Sequence, residues 1–289
     1  MTKPLSPCSF WSFLCTCGIA LLISFPLSGQ PLSPEASLNR AFEKGNLMVA
    51  ISAQSWRPGL CMAAARVQTG KSVSLSLSLS ARKSYTFIST AEQESTDVDL
   101  YLRDQDGKII ASDSETDGTP VIEFRVPETG NYQLQLHIPA SDQGTNFVSL
   151  SLLESSGRQI IEEEYRNLTA SFFASSEEII SAYPKVRWQS TINQWCLFGF
   201  SLDQKEGHTF QQLRLDAARY YFAAAGGPAC QNIDLYLANQ KNEIVALDKA
   251  PDALPLLEYV SNNSQSCNLR IEVKRSSGPG FILLGLFHQ

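Results

Sequence analysis

The sequence predicts an all-β protein: two tandem antiparallel β-sandwich domains, jelly-roll-like, each with a short helical lead-in segment. Three observations carry that prediction. Asp99-Leu100-Tyr101-Leu102 returns unchanged as Asp234-Leu235-Tyr236-Leu237, a spacing of 234 − 99 = 135. The same offset pairs Cys61 with Cys196, Tyr85 with Tyr220, Phe87 with Phe222, Ile109 with Ile244, Asp113 with Asp248 and Leu134 with Leu269. One supersecondary unit is therefore present twice. Second, Val73, Leu75, Leu77 and Leu79 alternate with serines from Ser72 to Ser80, the period of a strand with one buried and one wet face. Third, many short apolar runs are separated by Gly, Asp, Asn and Pro turn signals, as in a sandwich or jelly roll.

Taken along the chain, residues 1–29 read as a signal peptide. Lys3 supplies the positive n-region, Phe10 to Phe25 an apolar stretch, and Gly29 a small residue before the cleavage point. The uninterrupted apolar core is short for a membrane span, which needs about 20 residues. Residues 30–156 form the first domain. Ser33-Pro34-Glu35 starts a helix, with Leu38, Ala41 and Phe42 at helical spacing. The serine-alternating strand follows, then Tyr85-Thr86-Phe87-Ile88 and the Asp-Leu-Tyr-Leu strand. Asp104-Gln105-Asp106-Gly107 makes a tight turn into Lys108-Ile109-Ile110-Ala111, with Gly107 free to take positive φ. Val121 to Val126, Tyr132 to Ile138 and Phe147 to Leu153 complete the unit. Residues 157–289 repeat it. Their lead-in, about 159–187, reads as helical or mixed, and Phe210, Leu213 and Leu215 match the alternating strand after a one-residue slip.

Composition bounds the function classes. The chain has 289 residues, enough for two cores. Hydrophobic residues make up 43%, charged residues 18%, and the net charge is −6. That balance excludes nucleic acid and anionic membrane as main partners, since both require a basic footprint.

The stretch Thr96-Asp97-Val98-Asp99-Leu100-Tyr101-Leu102, then Asp106-Gly107, then Thr129-Gly130-Asn131-Tyr132, resembles the bacterial pre-peptidase C-terminal domain. The resemblance covers about 60–153. It is weaker over 195–289, where Gln231-Asn232-Ile233-Asp234-Leu235-Tyr236-Leu237 fits but Ser264-Gln265-Ser266-Cys267 replaces the Gly-aromatic turn. The resemblance implies small non-catalytic β-sandwich modules appended to exported bacterial proteins, some of which bind matrix or polysaccharide. This chain departs from the usual setting, because no peptidase domain accompanies the modules. The expected protein is exported, periplasmic or extracellular, and takes a protein or polysaccharide ligand. It does not bind nucleic acid, and after signal cleavage it is not membrane-bound.

Several constellations bear on chemistry. Asp97, Asp99, Asp104, Asp106 and Asp113 crowd the first copy and are candidate calcium ligands, since Ca²⁺ takes six to eight oxygens. The competing reading is turn chemistry: Asp104 and Asp106 lie in a hairpin, and the second copy has Asn232, Asn239 and Lys241 at the positions of Asp97, Asp104 and Asp106. Asp99 and Asp234 are expected to be structural, each buried and accepting a backbone N–H from a neighbouring loop. Four cysteines follow the signal segment. Cys230 and Cys267, present only in the second copy, are expected to form a disulfide. Cys61 and Cys196 are either buried free thiols or an inter-domain bridge. Trp56, Trp188, Trp195, Tyr101, Tyr236, Tyr220 and Tyr221 are candidates for a sugar-stacking platform, the competing reading being that Trp56 and Trp195 pack near Cys61 and Cys196 in the domain cores. No His-Glu-x-x-His, Gly-x-Ser-x-Gly or phosphate-binding glycine loop occurs. The sequence thus favours a non-catalytic binding or scaffold protein without a cofactor. A calcium-stabilised adhesion or carbohydrate-binding module is the first alternative, and an enzyme or enzyme inhibitor with a site at the domain junction the second.

Overall fold

The 135-residue repeat is visible in the order of elements. In the computed structural model, which describes residues 34–93, 96–189 and 195–289, each copy runs helix, two-residue strand, then eight strands. The expected signal peptide at 1–29 lies outside the described residues. The first copy comprises α1 (Pro34–Ile51), β1 (Ser55–Trp56), β2 (Gly59–Gln68), β3 (Ser72–Leu79), β4 (Ser84–Ala91), β5 (Asp99–Arg103), β6 (Ile109–Asp113), β7 (Val121–Arg125), β8 (Gly130–His137) and β9 (Thr145–Glu154). The second comprises α2 (Glu162–Ala182), β10 (Arg187–Trp188), β11 (Trp195–Leu202), β12 (Gly207–Leu215), β13 (Ala218–Gly226), β14 (Cys230–Ala238), β15 (Ile244–Asp248), β16 (Leu256–Ser261), β17 (Gln265–Ser276) and β18 (Gly280–His288). Pro34 is the first residue of α1, where its missing N–H costs nothing. Glu162, Glu163 and Glu164 place negative charge on the first turn of α2.

The expectation of two separate sandwiches gives way to a shared sheet. Strands β2 and β11 pair antiparallel, and a ten-stranded sheet runs through both copies in the order β16-β13-β18-β11-β2-β9-β4-β7, with β1 on β9 and β10 on β18. The order is a palindrome under the repeat. In the central pair Phe198 faces Ala63 and Leu197 faces Ala64, and 198 − 63 = 135. The two copies thus meet about a local two-fold axis, as the subunits of an isologous dimer do. Each copy adds a four-stranded sheet over one half of the large one, β3-β8-β5-β6 and β12-β17-β14-β15. Leu32–Gln289 forms one compact unit.

Two cores result. Between the large sheet and the small sheets lies one continuous cluster containing Leu60, Val73, Phe87, Leu100, Leu134, Phe200, Phe222, Leu235 and Leu269. On the other face the helices cover the large sheet with Leu38, Phe42, Trp56, Tyr165, Phe172, Phe173, Leu197 and Leu283. Strands β2 and β11 are buried on both faces. Leu60-Cys61-Met62-Ala63-Ala64-Ala65 and all of Trp195–Leu202 therefore show no alternation, the pattern of a strand between two layers. The one-residue slip in the second copy is a β-bulge: β12 loses register with β17 between Phe210 and Leu213, and Gln212 takes φ 56°.

The expected Cys230–Cys267 disulfide is absent; Cys61, Cys196, Cys230 and Cys267 are all free and buried. The reason is register. Cys230 pairs with Ser276 at one end of the β14–β17 ladder, while Cys267 adjoins Asn268, which pairs with Ala238 at the other. The separation is 238 − 230 = 8 positions along the strand, on the order of 25 Å at the usual rise, far beyond disulfide reach. Cys61 and Cys196 sit either side of the two-fold axis. The Cys61 thiol donates to the Gly199 carbonyl at 3.5 Å and the Cys196 thiol to the Ala64 carbonyl at 3.4 Å, and 199 − 64 = 196 − 61 = 135. Burial pushes both thiols up to about 12, so neither ionises near neutral pH.

Candidate binding groove

Asp99 and Asp234 are buried at the start or within the equivalent strands β5 and β14, 8% and 3% exposed. Their hydrogen-bond partners are not loop amides but tyrosines two residues on. Tyr101 Oη donates to Asp99 Oδ2 at 2.8 Å, and Tyr236 Oη to Asp234 Oδ2 at 2.6 Å. Residues i and i+2 share a strand face, which makes that pairing local. Burial, then the adjacent carboxylate, raises the pKa of both phenols.

The loop-fixing role belongs to Asp113 and Asp248. Asp113 accepts backbone N–H bonds from Glu115 at 3.3 Å and Val121 at 2.8 Å; Asp248 accepts from Ala250 at 2.8 Å and Leu256 at 2.9 Å. Asp104 accepts from the N–H groups of Asp106 and Lys108, as Asn239 does from Lys241 and Glu243. Gly107 and its counterpart Asn242 both take positive φ, 80° and 61°. Four of the carboxylates named as calcium candidates thus have turn, tyrosine or surface surroundings. Asp106 is exposed, and Asp97 is half-buried with its pKa raised by burial and by Asp99 and Asp117. Among the described residues no group of three or more His, Cys, Asp or Glu is arranged to hold a metal ion.

Trp56 and Trp195 lie in cores, and Trp188 is half-buried against Phe287. Trp56 is fully buried, stacked on Phe42 at 5.3 Å; Trp195 is 5% exposed and donates to the Ser74 carbonyl at 2.9 Å. Among the described residues, the nearest approach to a nucleophile and base is Ser72 Oγ, 3.1 Å from His137 Nδ1. The same Nδ1 contacts the Lys71 carbonyl at 3.0 Å. A Ser–His–Asp relay needs its two contacts on opposite ring nitrogens, and here both fall on one. The second copy has Gly207 and Glu272 at these positions.

What sequence reasoning missed is a groove in the second copy, about 540 Å³, between α2 and the edge of the large sheet. Its floor is Ala223, Ala224 and Ala225 of β13, continuing into Gly226-Gly227-Pro228. One wall is α2, with Leu168, Phe172 and Ile179 below and Asn167, Ser171 and Ser175 at the rim. The other is Leu254-Pro255-Leu256 at the start of β16. Glu164 is the single charged residue of the lining. It stands at the end near Cys230, whose thiol is pushed up to about 11 by burial and by Glu164. The size falls within the usual range of ligand sites, about 300–1,000 Å³.

The first copy closes the same place. Ile88 stands where the second copy has Ala223, and it is 1% exposed, packed with Met48 and Val121. There α1 is fastened to the sheet by hydroxyls. Ser37 Oγ meets Ser149 Oγ at 2.7 Å, Thr90 donates to the Ser37 carbonyl at 2.9 Å, and Ser151 donates to the Ala41 carbonyl at 2.8 Å. In the second copy the corresponding strand positions hold Leu283, Ala225 and Gly285, and α2 rests on Phe172, Phe173, Trp188 and Phe287 instead. Gly285 is required there, because a Cβ would come within 2.8 Å of Phe172 Cζ.

This architecture is a β-sandwich unit, doubled and fused through its central strands. Residues 67–137 carry a match to the family model of the bacterial pre-peptidase C-terminal domain, which spans β3 through β8 of the first copy. No curated protein matches the chain. Among solved structures, the chain is similar to PliG of Aeromonas hydrophila, a periplasmic inhibitor of g-type lysozyme, at 17% identity over 34% of this chain and 96% of that one, with a TM-score of 0.25. It is similar to the tandem CBM22-1-CBM22-2 domains of Xyn10C from Paenibacillus barcinonensis at 10% identity over 81% and 92%, with a TM-score of 0.22. It is also similar to the M60 catalytic domain with CBM51 domains of ZmpB from Clostridium perfringens at 6% identity over 80% and 36%, with a TM-score of 0.28. Scores this low carry no functional inference. No helix of the described residues is long and apolar enough to cross a membrane.

Proposed function

We propose that this chain is an exported, non-catalytic binding module whose ligand site is the apolar groove of the second copy. The observation that carries the reading is the difference between the copies at one place. A unit repeated for stability alone gains from the closed packing around Ile88, whereas the second copy leaves that space open and lines it with Ala223, Leu168, Phe172 and Leu254. Apolar concavities with a polar rim are the usual form of binding sites. Its lining has no histidine, cysteine or acid–base pair, which supports a binding role over acid–base chemistry.

The apolar dye ANS tests the site. Wild-type protein is expected to enhance its fluorescence, and Ala223→Ile, which copies the first half, to lose that enhancement while melting no lower. Equal dye binding by both proteins removes the groove as the site. Turnover of any member of a panel of ester, glycoside and peptide substrates by the purified protein removes the non-catalytic reading.

A further inference from the structure

The ten-stranded sheet ends in two edges, β7 and β16, which are equivalent strands with different chemistry. An open edge offers unpaired N–H and C=O groups to any passing strand, and proteins normally blunt it with charge. The β7 edge follows that rule: Thr119 precedes it, Val121 is half-buried, and Glu123 and Arg125 are exposed. The β16 edge does not. Leu254 is 70% exposed, Leu256 50% and Val260 47%. Its exposed charge, Glu258, is already ion-paired with Arg219 of β13.

Asp248 already accepts the Leu256 N–H at 2.9 Å, as Asp113 accepts the Val121 N–H on β7, so the length of this edge left to a partner strand runs from Glu258 to Val260, and its Leu254–Leu256 end is a wall of the groove. Leu256, Glu258 and Val260 alternate with inward Leu257 and Tyr259 along β16 and so share the helix-side face, with Glu258 tied back to Arg219. A strand added on β16 would present its own helix-side residues, at every second position, along that wall. Glu164 marks the end of the groove near Cys230, with no basic residue in the lining to neutralise it.

We propose that β16 and the groove together receive an extended peptide segment of a protein partner. The segment pairs with β16 as an additional strand, sets apolar side chains at alternate positions into the groove, and carries a basic residue at the Glu164 end. Main-chain pairing supplies affinity and the groove supplies selectivity, the division of labour in strand addition generally. The inference rests on the binding reading above and adds the class of partner. A small amphiphile would use the groove but leave the β16 backbone to water, and the apolar edge would then have no role.

The experiment uses the mature full-length protein and a synthetic peptide of alternating valine and threonine with lysines at one end, beside a twin in which glutamates replace the lysines. Binding is read by fluorescence anisotropy, and its place by hydrogen exchange. The lysine peptide is expected to bind more tightly than its twin and to slow exchange in β16 but not in β7. Ala223→Ile and Leu256→Lys are each expected to weaken it roughly tenfold or more. Glu164→Gln is expected to remove most of the preference for lysine, and Val121→Lys on the opposite edge to leave binding unchanged. Slowed exchange in β7 instead, or affinity indifferent to Ala223→Ile, overturns the proposal. If ANS or dodecyltrimethylammonium binds in an Ala223-sensitive way while neither peptide does, the groove stands and the peptide class is wrong. If the unliganded protein is a dimer that Leu256→Lys dissociates, the occupant is a second copy and the proposal is again wrong.

Discussion

Ile88 and Ala223 stand at the same place in two copies of one unit, and around them the two halves of the molecule part ways. In the first half the helix is tied down by Ser37, Thr90 and Ser151 and the space beneath it is filled by Ile88, Met48 and Val121. In the second half the same space is a groove, and the neighbouring edge strand is apolar. The small sheets differ far less. Asp99–Tyr101 and Asp234–Tyr236 match bond for bond, as do the loops held by Asp113 and Asp248. Duplication has kept the sandwich scaffold on one face and let the helix face diverge.

The largest effect expected from this comparison is at Ile88. Removing most of a fully buried side chain leaves a cavity, and Ile88→Ala should cost about 2–5 kcal/mol. Chemical denaturation measures it. The reverse change, Ala223→Ile, should cost nothing or add stability, because the space is already there. If the two substitutions destabilise equally, the halves are packed alike and the contrast fails.

How much of this was legible in the sequence depends on which layer a residue serves. The small-sheet strands were readable because one face is wet: Ser72 to Leu79 alternates, and so does Tyr132 to His137. The central strands were not, since β2 and β11 are covered on both sides and show no period. Without them the fusion of the copies could not be seen, and two separate sandwiches were the natural reading. The disulfide expectation failed for a related reason. Two cysteines gained in one copy suggested a local bridge, but antiparallel register sends Cys230 and Cys267 to opposite ends of their ladder. The groove was hidden because the helices do not keep the 135 offset. The buried set Ser37, Leu38, Ala41, Phe42 and Gly45 of α1 recurs on α2 as Leu168, Thr169, Phe172, Phe173 and Ser176, a spacing of 168 − 37 = 131. Only the folded chain aligns helix and strand so that Ile88 and Ala223 face equivalent helices.

The second largest effect concerns pH. His208 in β12 lies against Phe200 and Phe210, with ring centroids 5.5 and 4.6 Å away, and burial lowers its pKa to about 4, with Arg57 adding to the effect. The equivalent residue of the first half is Val73, which does not titrate. Unfolding frees His208 to take a proton at the ordinary histidine pKa. Folded and unfolded states therefore bind protons equally above about pH 6.5, and the unfolded state binds more below it. Stability is lost as pH falls from about 6.5 toward 4, by at most about 3 kcal/mol from this group. His208→Val should flatten that part of the stability profile and leave the neutral-pH value nearly unchanged. An unaltered acid profile in His208→Val would show that the ring titrates normally in the fold.

The smallest effect tests the part of the comparison that should be symmetric. Asp99→Ala removes the acceptor of the Tyr101 hydroxyl, and Asp234→Ala that of Tyr236. Each tyrosine is half-buried, so water can replace the lost partner in part, and the cost should be about 1 kcal/mol per site. The second site has extra support. Lys274 Nζ lies 4.0 Å from Asp234, and Lys249 and Lys274 stand 5.2 and 5.6 Å from the Tyr236 ring. Those ammonium groups gain from a neighbouring carboxylate, so Asp234→Ala should cost slightly more than Asp99→Ala, and the excess should shrink in high salt. With each aspartate acting through its tyrosine, the losses should be the same in calcium and in chelator. A calcium-dependent difference confined to Asp99→Ala would instead mean that the acidic residues around the first copy's β5 bind a cation that the second copy, with Asn232 and Asn239, has lost.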